Sequence, residues 1–317
     1  MNEAGEGGIS MQWKGLRISP CNLCPRECLA HRAEGQRGFC QADDGIRVAR
    51  AALHPWEEPC ISGPKGSGTV FFAGCNLRCV YCQNYEIAAG GKGKAVTTKQ
   101  LADIFLNLQA KGAANINLVT PDHYVTGVAE AVLLARDSGL ALPVVYNGSG
   151  YGKREVIRAL AGIVDIYLTD FKYMDPALAA GYSAAPDYPE VAKGALGEMA
   201  DTVGEPVFDE NGMMQRGVIV RHLLLPGHKK NARDVIRYVF ETYGDAVYLS
   251  LLNQYTPFER LREMPEYQSI CRKVTRREYD AVVDYALELG VRNAFVQEGD
   301  TARESFIPAF DGEGMDF

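Results

Sequence analysis

Apolar runs rich in β-branched and aromatic residues alternate with amphipathic helical stretches along most of the chain after residue 62. The runs predict strands at Thr69–Ala73, Asn115–Thr120, Pro143–Tyr146, Asp165–Leu168, Gly217–Leu225, Ala246–Leu252 and Asn293–Gln297. Strands that alternate with helices favour parallel pairing through right-handed crossovers. The predicted fold is therefore α/β, a partial or full six-unit (β/α) barrel.

Several predicted helices have recognisable ends. Two capping boxes and one single cap mark helix starts: Thr97 with Gln100, Thr275 with Glu278, and Asn231. Gly290 is placed to end the helix that follows Thr275 in a left-handed conformation. Residues 175–215 are acidic and lack a strand pattern, which predicts a helix and an irregular excursion over the barrel.

We predict three parts, which are a cysteine-rich module over residues 1–62, the barrel over 63–300 and a tail over 301–317. The longest uncharged stretch, Ser138–Gly152, contains Pro143 and is shorter than the ~20 apolar residues of a membrane-spanning helix. The N-terminal MNEAGEGGIS lacks the basic and apolar segments of an export signal. We therefore expect a cytoplasmic protein without a membrane partner.

The net charge is −7, and the 33 basic residues are dispersed along the chain. This distribution argues against a nucleic-acid surface and favours a small-molecule or protein partner. The chain also has nine cysteines, seven of which fall into two groups. In a cytoplasmic protein, clustered cysteines are more often metal ligands than disulfides.

The second cysteine group follows the first predicted barrel strand directly and consists of Cys75, Cys79 and Cys82. Iron-sulfur clusters are normally held by four thiolates, so three on one loop suggest a 4Fe-4S cluster with one iron open to another ligand. The alternatives are a zinc knuckle with a distant fourth ligand and a purely structural cysteine trio.

Polar residues follow the other strands at the end where (β/α) barrels carry their chemistry. These positions include Asp122 and His123, Asn147–Tyr151, Asp170 and Lys172, Pro226–His228, and Asn253–Thr256. Because the carboxyl ends of parallel strands share one rim, we expect these groups to converge there. Taken alone, Asp170 and Lys172 are equally typical of a surface salt bridge.

The spacing C-x3-C-x2-C, with Tyr81 before its last cysteine, resembles the radical S-adenosylmethionine superfamily. Asp170-Phe171-Lys172 resembles the D-x-K motif of glycyl-radical-enzyme activases, and Arg221 to Gly227 resembles their R-x-x-x-(V/L)-P-G motif. The resemblance covers residues 67–297. The run EEPCISG from Glu57 is similar to a little-characterised group of pyruvate formate-lyase activating enzyme homologs.

The resemblance implies a 4Fe-4S cluster that binds the amino and carboxylate groups of S-adenosylmethionine and splits its sulfonium by electron transfer, giving a 5′-deoxyadenosyl radical. It places Tyr81 near the adenine, Lys172 near the methionine carboxylate and Asp170 near the ribose. The expected S-adenosylmethionine-binding residues are Tyr81, Asn147, Ser149, Asp170, Lys172 and Arg221. No catalytic residue is assigned beyond the cluster ligands.

The sequence departs from the family pattern at several positions. Thr120 to His123 stand where many members have a G-G-E stretch, and Thr256 aligns with a histidine of pyruvate formate-lyase activases. No insertion with further four-cysteine sets follows Cys82. These departures suggest that Asn253, Gln254 and His123 line a distinctive substrate pocket.

The first cysteine group, Cys21, Cys24, Cys28 and Cys40, lies on a loop-rich segment too small to bury a core of its own. Such a segment gains order from a bound metal, so we expect zinc or a second, auxiliary iron-sulfur cluster. Reduced surface thiols are the alternative. Cys60 and Cys271 are expected to be buried, without a metal.

The leading hypothesis is an oxygen-sensitive radical S-adenosylmethionine oxidoreductase that activates a glycyl radical enzyme and takes electrons from a flavodoxin- or ferredoxin-like donor. Modification of a peptide or small metabolite is the alternative within the same chemistry. A non-catalytic iron-sulfur or zinc protein for electron transfer or docking is the alternative from another class.

Overall fold

The structure, a computed structural model, describes residues 13–89, 91–297 and 308–315. The acidic N-terminal segment and most of the predicted tail lie outside these ranges. The strands are β1 (Ile46–His54), β2 (Ser67–Phe72), β3 (Lys94–Val96), β4 (Ile116–Val119), β5 (Val144–Gly148), β6 (Ile166–Asp170), β7 (Val207–Phe208), β8 (Met214–Leu223), β9 (Tyr248–Leu252) and β10 (Ala294–Val296).

Helices connect most of the strands. They are α1 (Pro59–Ser62), α2 (Tyr85–Ala88), α3 (Thr98–Ala110), α4 (Val125–Asp137), α5 (Arg154–Ala159), α6 (Pro176–Ser183), α7 (Tyr188–Val203), α8 (Lys229–Tyr243) and α9 (Arg276–Leu289). Short 3-10 turns occur at Arg32–Glu34, Gly244–Ala246, Glu259–Glu263 and Pro265–Ile270. No helix of the described residues is long and apolar enough to span a bilayer.

One sheet holds the fold together, in the order β10-β9-β8-β6-β5-β4-β2-β1-β3. Strands from β2 through β10 along this order pair in parallel, whereas β1 pairs antiparallel with both β2 and β3. The outer strands β3 and β10 are not paired with each other within the described residues. The predicted α/β fold with a parallel sheet is confirmed, in the form of a partial barrel.

The two faces of the sheet bury different side chains. In β6, Tyr167 packs into the large core beneath the helices, whereas Ile166 and Leu168 belong to a smaller cluster on the other face. This alternation follows from the two-residue period of a strand. The amphipathic helices α3 and α4 cover the outer face with residues such as Phe105 and Val132, both fully buried.

The short helix α1 packs into the inner face of the partial barrel. Its Cys60 and Ile61 pack with Val145, Leu168 and Ile219 of the strands. Ile61 is fully buried, and burial of one such side chain contributes about 2 kcal/mol to stability. The segment before α1 is thereby brought beside the strand ends. We name residues 56–62 the plug segment.

The predicted secondary structure is largely confirmed. All seven predicted strands are present, and both predicted capping boxes form at Thr97 and Thr275, with Gly290 left-handed as expected. The prediction that Asn231 caps a helix was wrong, because α8 begins at Lys229 and Asn231 lies inside it. Its side chain instead accepts from the Met174 amide and donates to the Lys172 carbonyl.

The N-terminal segment packs against the same large core as the barrel, through residues such as Leu23 and Ala42. Residues 308–315 lie along β1, where the Ala51 amide donates to the Glu313 carbonyl at 2.9 Å. Strand β1 itself joins the barrel sheet. The boundaries at residues 62 and 300 remain predictions.

Candidate active site

A cavity of about 230 Å³ opens at the carboxyl ends of the parallel strands. The three cysteines of the second group and the six residues assigned to S-adenosylmethionine all line it: Cys75, Cys79, Tyr81, Cys82, Asn147, Ser149, Asp170, Lys172 and Arg221. They come from the loop after β2 and from the ends of β5, β6 and β8. The structure therefore brings together residues that are up to 146 positions apart (221 − 75) in the sequence.

The cysteine loop is held by backbone contacts rather than by regular structure. Gly74, which starts it, has φ of +93°, and a Cβ there would lie 2.9 Å from His123 Nε2. The buried Asn76 donates to the Tyr151 carbonyl at 2.8 Å, and Arg78 donates to the Cys75 carbonyl at 2.8 Å. These contacts hold the loop that carries the three thiols beside the cavity.

Two of the thiol sulfurs accept hydrogen bonds. The Leu77 amide donates to Cys75 Sγ at 3.4 Å, and the Ser183 hydroxyl donates to Cys79 Sγ at 3.0 Å. Burial raises the pKa of the Cys75 thiol and raises that of Cys82 to about 12. Both thiols are therefore protonated without a metal, and coordination would release their protons.

The donor set fits an iron-sulfur cluster. Three sulfurs face one cavity, two of them accept hydrogen bonds of the kind that tune cluster potential, and the cavity leaves room beyond the thiols. Cys75, Cys79 and Cys82 are the residues that would hold it. No fourth cysteine lines the cavity within the described residues.

Tyr81 is buried, and its hydroxyl leads back to the cysteine loop. The Tyr81 and Tyr173 hydroxyls lie 2.5 Å apart, and Tyr173 lies 2.8 Å from the Ser183 hydroxyl that donates to Cys79. The ring of Tyr81 packs edge-on against Tyr255, with centroids 6.1 Å apart. The hydroxyl chain fixes the ring orientation at the cavity wall.

Charged side chains from three segments meet on the opposite wall of the cavity. Lys172 Nζ donates to Asp170 Oδ2 at 2.5 Å, and Arg221 Nε donates to Asp170 Oδ1 at 3.2 Å. Arg221 also donates to Asn147 Oδ1 at 2.6 Å and to Glu57 Oε2 at 3.2 Å. The Asp170 and Lys172 pair is thus part of a partly buried network and not an isolated surface salt bridge.

Burial and ion pairing oppose each other in this network. Burial acts to raise the pKa of Asp170, but Lys172 and Arg221 outweigh it and hold the pKa below its ordinary value. Burial acts to lower the pKa of Lys172, but Asp170 outweighs it and the pKa is raised. Asp170, Lys172 and Arg221 are therefore charged at neutral pH. They lie in a cavity where water screens their charges poorly.

Ser149 lies at the turn after β5, and its carbonyl accepts from the Tyr188 hydroxyl at 2.7 Å. The next residue, Gly150, has φ of +76°, and a Cβ there would collide with the Asp170 carbonyl oxygen. This close approach needs glycine. It brings the β5 loop against the end of β6 and sets the width of the cavity.

Glu57 is a site residue that the sequence analysis missed. Besides Arg221, its carboxylate accepts from Asn117 at 3.0 Å and from Asn147 at 3.2 Å. Burial raises its pKa, and Arg221 opposes that rise. The EEPCISG run contains Glu57, but its local pattern does not indicate a contact with Arg221.

The suggested distinctive pocket residues are only partly at the cavity. Gln254 lines it, whereas His123 and Asn253 are not among the lining residues. His123 is buried, with Nε2 2.7 Å from the Ala73 carbonyl, and burial lowers its pKa to about 4. The prediction that His123 and Asn253 line the pocket was therefore wrong.

The N-terminal cysteines lie near one another, and Cys21, Cys24 and Cys40 are buried while Cys28 is exposed. Arg32, also buried, ties the segment to the loop after β4 by donating to the His123 carbonyl at 2.6 Å.

In the described residues, no three His, Cys, Asp or Glu side chains are arranged as a finished site for a metal ion. Zinc or a second cluster at the N-terminal cysteines therefore stays a prediction. Cys60 is buried as expected, whereas Cys271 is only partly buried.

The chain is similar to a known protein family and to several curated proteins. Residues 69–194 match the family model described as the Radical SAM superfamily. An uncharacterized protein of Methanocaldococcus jannaschii is 27% identical over 278 residues, which cover 84% of this chain and 74% of that protein. The pyruvate formate-lyase-activating enzyme of Clostridium pasteurianum is 27% identical over 124 residues, 36% of this chain and 49% of that enzyme.

A solved structure that is similar is SuiB of Streptococcus suis bound to its precursor peptide SuiA. The TM-score is 0.48 at 13% sequence identity, over 72% of this chain and 47% of that one. The chain thus spans about half the length of SuiB.

Proposed function

We propose that this chain is an enzyme that cleaves S-adenosylmethionine reductively and abstracts hydrogen from a bound substrate. The match of residues 69–194 to the Radical SAM superfamily model supports the proposal. The observation that carries the proposal is the shared cavity, in which the three cysteines face the Asp170, Lys172 and Arg221 network. A purely structural metal site has no need of a buried ion network across an open cavity.

The cluster, when bound and reduced, supplies the electron that breaks the sulfonium carbon-sulfur bond of S-adenosylmethionine. Cys75, Cys79 and Cys82 hold it. The Ser183 hydroxyl, at 3.0 Å from Cys79 Sγ, stabilises negative charge on that sulfur. The rest of the work of the protein is to bind and orient S-adenosylmethionine and to exclude water.

Each S-adenosylmethionine group has a matching side chain on the cavity wall. Lys172 is a buried cation that suits the methionine carboxylate, and Asp170 is an ionised acceptor that suits ribose hydroxyls. Arg221 orients Asp170 directly and bridges it to Asn147 and Glu57, and Asp170 in turn holds Lys172. The ring of Tyr81 offers the adenine an aromatic edge.

Two observations bear on the substrate class within this chemistry, and they favour different classes. The partial match to a pyruvate formate-lyase-activating enzyme supports activation of a glycyl radical enzyme. The altered residues at the rim, Thr120 to His123 and Thr256, support modification of a different peptide or metabolite. We favour activase-like hydrogen abstraction, with electrons supplied by a flavodoxin- or ferredoxin-like protein. The assay below can be extended to candidate substrates.

The test is product formation by the protein purified without oxygen, reconstituted with iron and sulfide and reduced with dithionite. We expect 5′-deoxyadenosine from added S-adenosylmethionine, detected by mass spectrometry. The Lys172→Met variant, which removes the cation and keeps the length of the side chain, is expected to lose most of the product. The Lys99→Met variant changes an exposed lysine on α3 and should match the wild type.

A protein with a fully loaded, reduced cluster that neither binds S-adenosylmethionine nor forms 5′-deoxyadenosine would instead be an electron carrier. Binding without cleavage would show that cleavage waits for the substrate. Candidate proteins with a glycyl-loop motif can then be added to the same assay.

A further inference from the structure

A second cavity of about 360 Å³ lies beside the first, between the plug segment and strands β8 to β10. The two share part of their walls, including Trp56, Glu57, Arg221 and Gln254. Glu58, Pro59 and Ser250 also line the second cavity, as do the residues of β10. Its size suits one side chain or a small metabolite fragment.

Glu58 is the chemically unusual residue of this cavity. Glu58 lines the cavity wall and is only 7% exposed. Its Oε2 is buried and has no hydrogen-bond partner among the described residues. Among the described residues, no Lys or Arg lies within ion-pair distance of it. Neighbouring Glu57 differs, because it pairs with Arg221 at 3.2 Å. Burial raises the pKa of Glu58, and the charge of Arg221 and a hydrogen bond with Ser250 oppose that rise. A cation next to the unpartnered Oε2 would favour the ionised carboxylate.

Carboxyl groups outnumber cations around the two cavities. Glu57, Glu58 and Asp170 are three carboxyl groups, whereas Lys172 and Arg221 are two cations. Arg221 is already engaged by Asp170 and Glu57, and Lys172 by Asp170. Glu58 therefore has no cation at ion-pair distance among the described residues, and a positively charged group beside it would favour its ionised form.

An aromatic surface stands at the same cavity. Trp56 lines both cavities, and 58% of it is exposed. An indole face attracts cations, and a carboxylate with an aromatic face is a common combination in the recognition of charged amines. Trp56 and Glu58 flank Glu57 in the sequence, so the plug segment carries all three residues on one short stretch of chain.

We propose that the second cavity binds a positively charged nitrogen group of the substrate, an alkylammonium or guanidinium, through the Glu58 carboxylate and the Trp56 indole. This inference rests on the proposed function, because the shared wall would hold the rest of that substrate beside the S-adenosylmethionine cavity. It assigns the substrate a basic side chain or amine, and it gives the EEPCISG run a recognition role.

The binding test uses n-butylammonium as the probe and n-butanol as its neutral counterpart, followed by ligand-observed saturation-transfer NMR at constant pH. We expect saturable binding of n-butylammonium, with n-butanol at least tenfold weaker, in the wild type. This comparison needs no variant, so it stands even if a substitution unfolds the protein. Equal binding of the two probes would overturn the proposal.

Two glutamine variants locate the site. Glu58→Gln should weaken n-butylammonium binding at least tenfold. Glu198→Gln changes a glutamate that is equally buried but is paired with Arg158 away from both cavities, and it should bind as the wild type does. Unchanged binding by a folded Glu58→Gln protein would also overturn the proposal.

The outcomes separate this inference from the proposed function. Formation of 5′-deoxyadenosine without selective n-butylammonium binding would remove the inference alone. Selective binding that depends on Glu58, in a protein whose reduced cluster neither binds S-adenosylmethionine nor forms 5′-deoxyadenosine, would remove the radical chemistry and leave the cation site.

Discussion

Asp170 and Arg221 lie opposite each other in the β6–β8 ladder, and Arg221 Nε donates to Asp170 Oδ1 at 3.2 Å. The pairing of two adjacent parallel strands thus sets the distance between a carboxylate and a guanidinium at the strand ends. The same Asp170 carboxylate binds Lys172 through its other oxygen. One carboxylate therefore orients both cations that face the cysteine loop.

We predict that Asp170→Asn weakens S-adenosylmethionine binding about tenfold or more. The substitution keeps the side-chain shape but leaves Lys172 and Arg221 without their shared anion, and hydrogen bonds to charged groups are each worth about 1.5–3 kcal/mol. Isothermal titration of the reconstituted protein measures the affinity.

The control is Asp165→Asn, just before the other end of β6, where Asp165 pairs with Arg136 outside the cavity. Its affinity for S-adenosylmethionine should equal that of the wild type. An Asp170→Asn protein that binds normally, or an equal loss in both variants, would show that this network does not hold S-adenosylmethionine.

The cysteine loop is expected to be essential at every position. Cys75→Ala, Cys79→Ala and Cys82→Ala should each lose the cavity cluster and all 5′-deoxyadenosine formation, while the barrel keeps its fold. Iron content, product analysis and circular dichroism check these statements. Cys271→Ala, at a partly buried thiol outside the loop, should retain full activity.

The N-terminal cysteines should behave differently. Cys24→Ala is expected to lower the thermal stability of the protein more than it lowers product formation, because Cys24 lies in the segment that the metal is predicted to order. Turnover in any of the three loop variants would contradict the ligand assignment. Loss of the cavity cluster in Cys24→Ala would contradict the separation of roles.

Ser183 should tune the cluster. Its hydroxyl donates to Cys79 Sγ at 3.0 Å, which stabilises the added negative charge of the reduced state. Ser183→Ala should lower the reduction potential by some tens of millivolts, since about 59 mV corresponds to tenfold in a one-electron equilibrium. Potentiometric titration measures it.

Ser269→Ala is the matched control, because the Ser269 hydroxyl contacts Tyr182 and no sulfur atom. Its potential should stay at the wild-type value. A potential that does not move in Ser183→Ala, or that moves equally in both variants, would show that the Ser183 contact has no influence on a bound cluster.

Glu278 should make the stability of the protein depend on pH. Its carboxylate accepts from both Arg272 guanidinium nitrogens, from Thr275 and from the Gly227 amide. The hydrogen bonds from Arg272 contribute most to holding the pKa of Glu278 below its ordinary value. A lowered carboxyl pKa stabilises the fold above the unfolded pKa of about 4.3, and the contribution is lost as pH falls towards the folded pKa.

We therefore expect Glu278→Gln to lower the free energy of unfolding at pH 7 by about 1–2 kcal/mol. The gap to the wild type should narrow at pH 3, as measured by urea unfolding. At the other capping box, Gln100→Glu on α3 offers no arginine to pair with and should change stability little at pH 7. A Glu278→Gln gap that is constant from pH 7 to pH 3 would contradict the assigned charge.

The parallel strands were predictable because strands buried on both faces are continuous apolar runs. Strand β1 was not, since Ile46–His54 mixes arginines and alanines and is ordered by antiparallel pairing with β2. The rule of strand ends predicted that Asp170 and Lys172 share one rim, and both line the cavity, whereas Arg221 was predicted from the family resemblance. The rule failed for His123, whose backbone follows β4 but whose ring turns back to the Ala73 carbonyl.

The contribution of Glu57 could not be predicted from its local sequence. Glu57 reaches Arg221 only because α1 packs inside the partial barrel, with Ile61 fully buried, and that packing joins segments 164 residues apart. For Asn231 the local sequence predicted a role that the residue does not have. Its residue type is typical of a helix cap, but here it bridges Lys172 and Met174 from inside α8.

The most direct test of the central claim is the electron paramagnetic resonance spectrum of the reconstituted, dithionite-reduced protein with and without S-adenosylmethionine. The relevant signal is the one absent from Cys79→Ala. If the cysteines hold a cluster whose open iron faces the Asp170, Lys172 and Arg221 wall, S-adenosylmethionine will change that signal, and Asp170→Asn will need more of it for the same change. A signal unaltered by saturating S-adenosylmethionine would contradict the account.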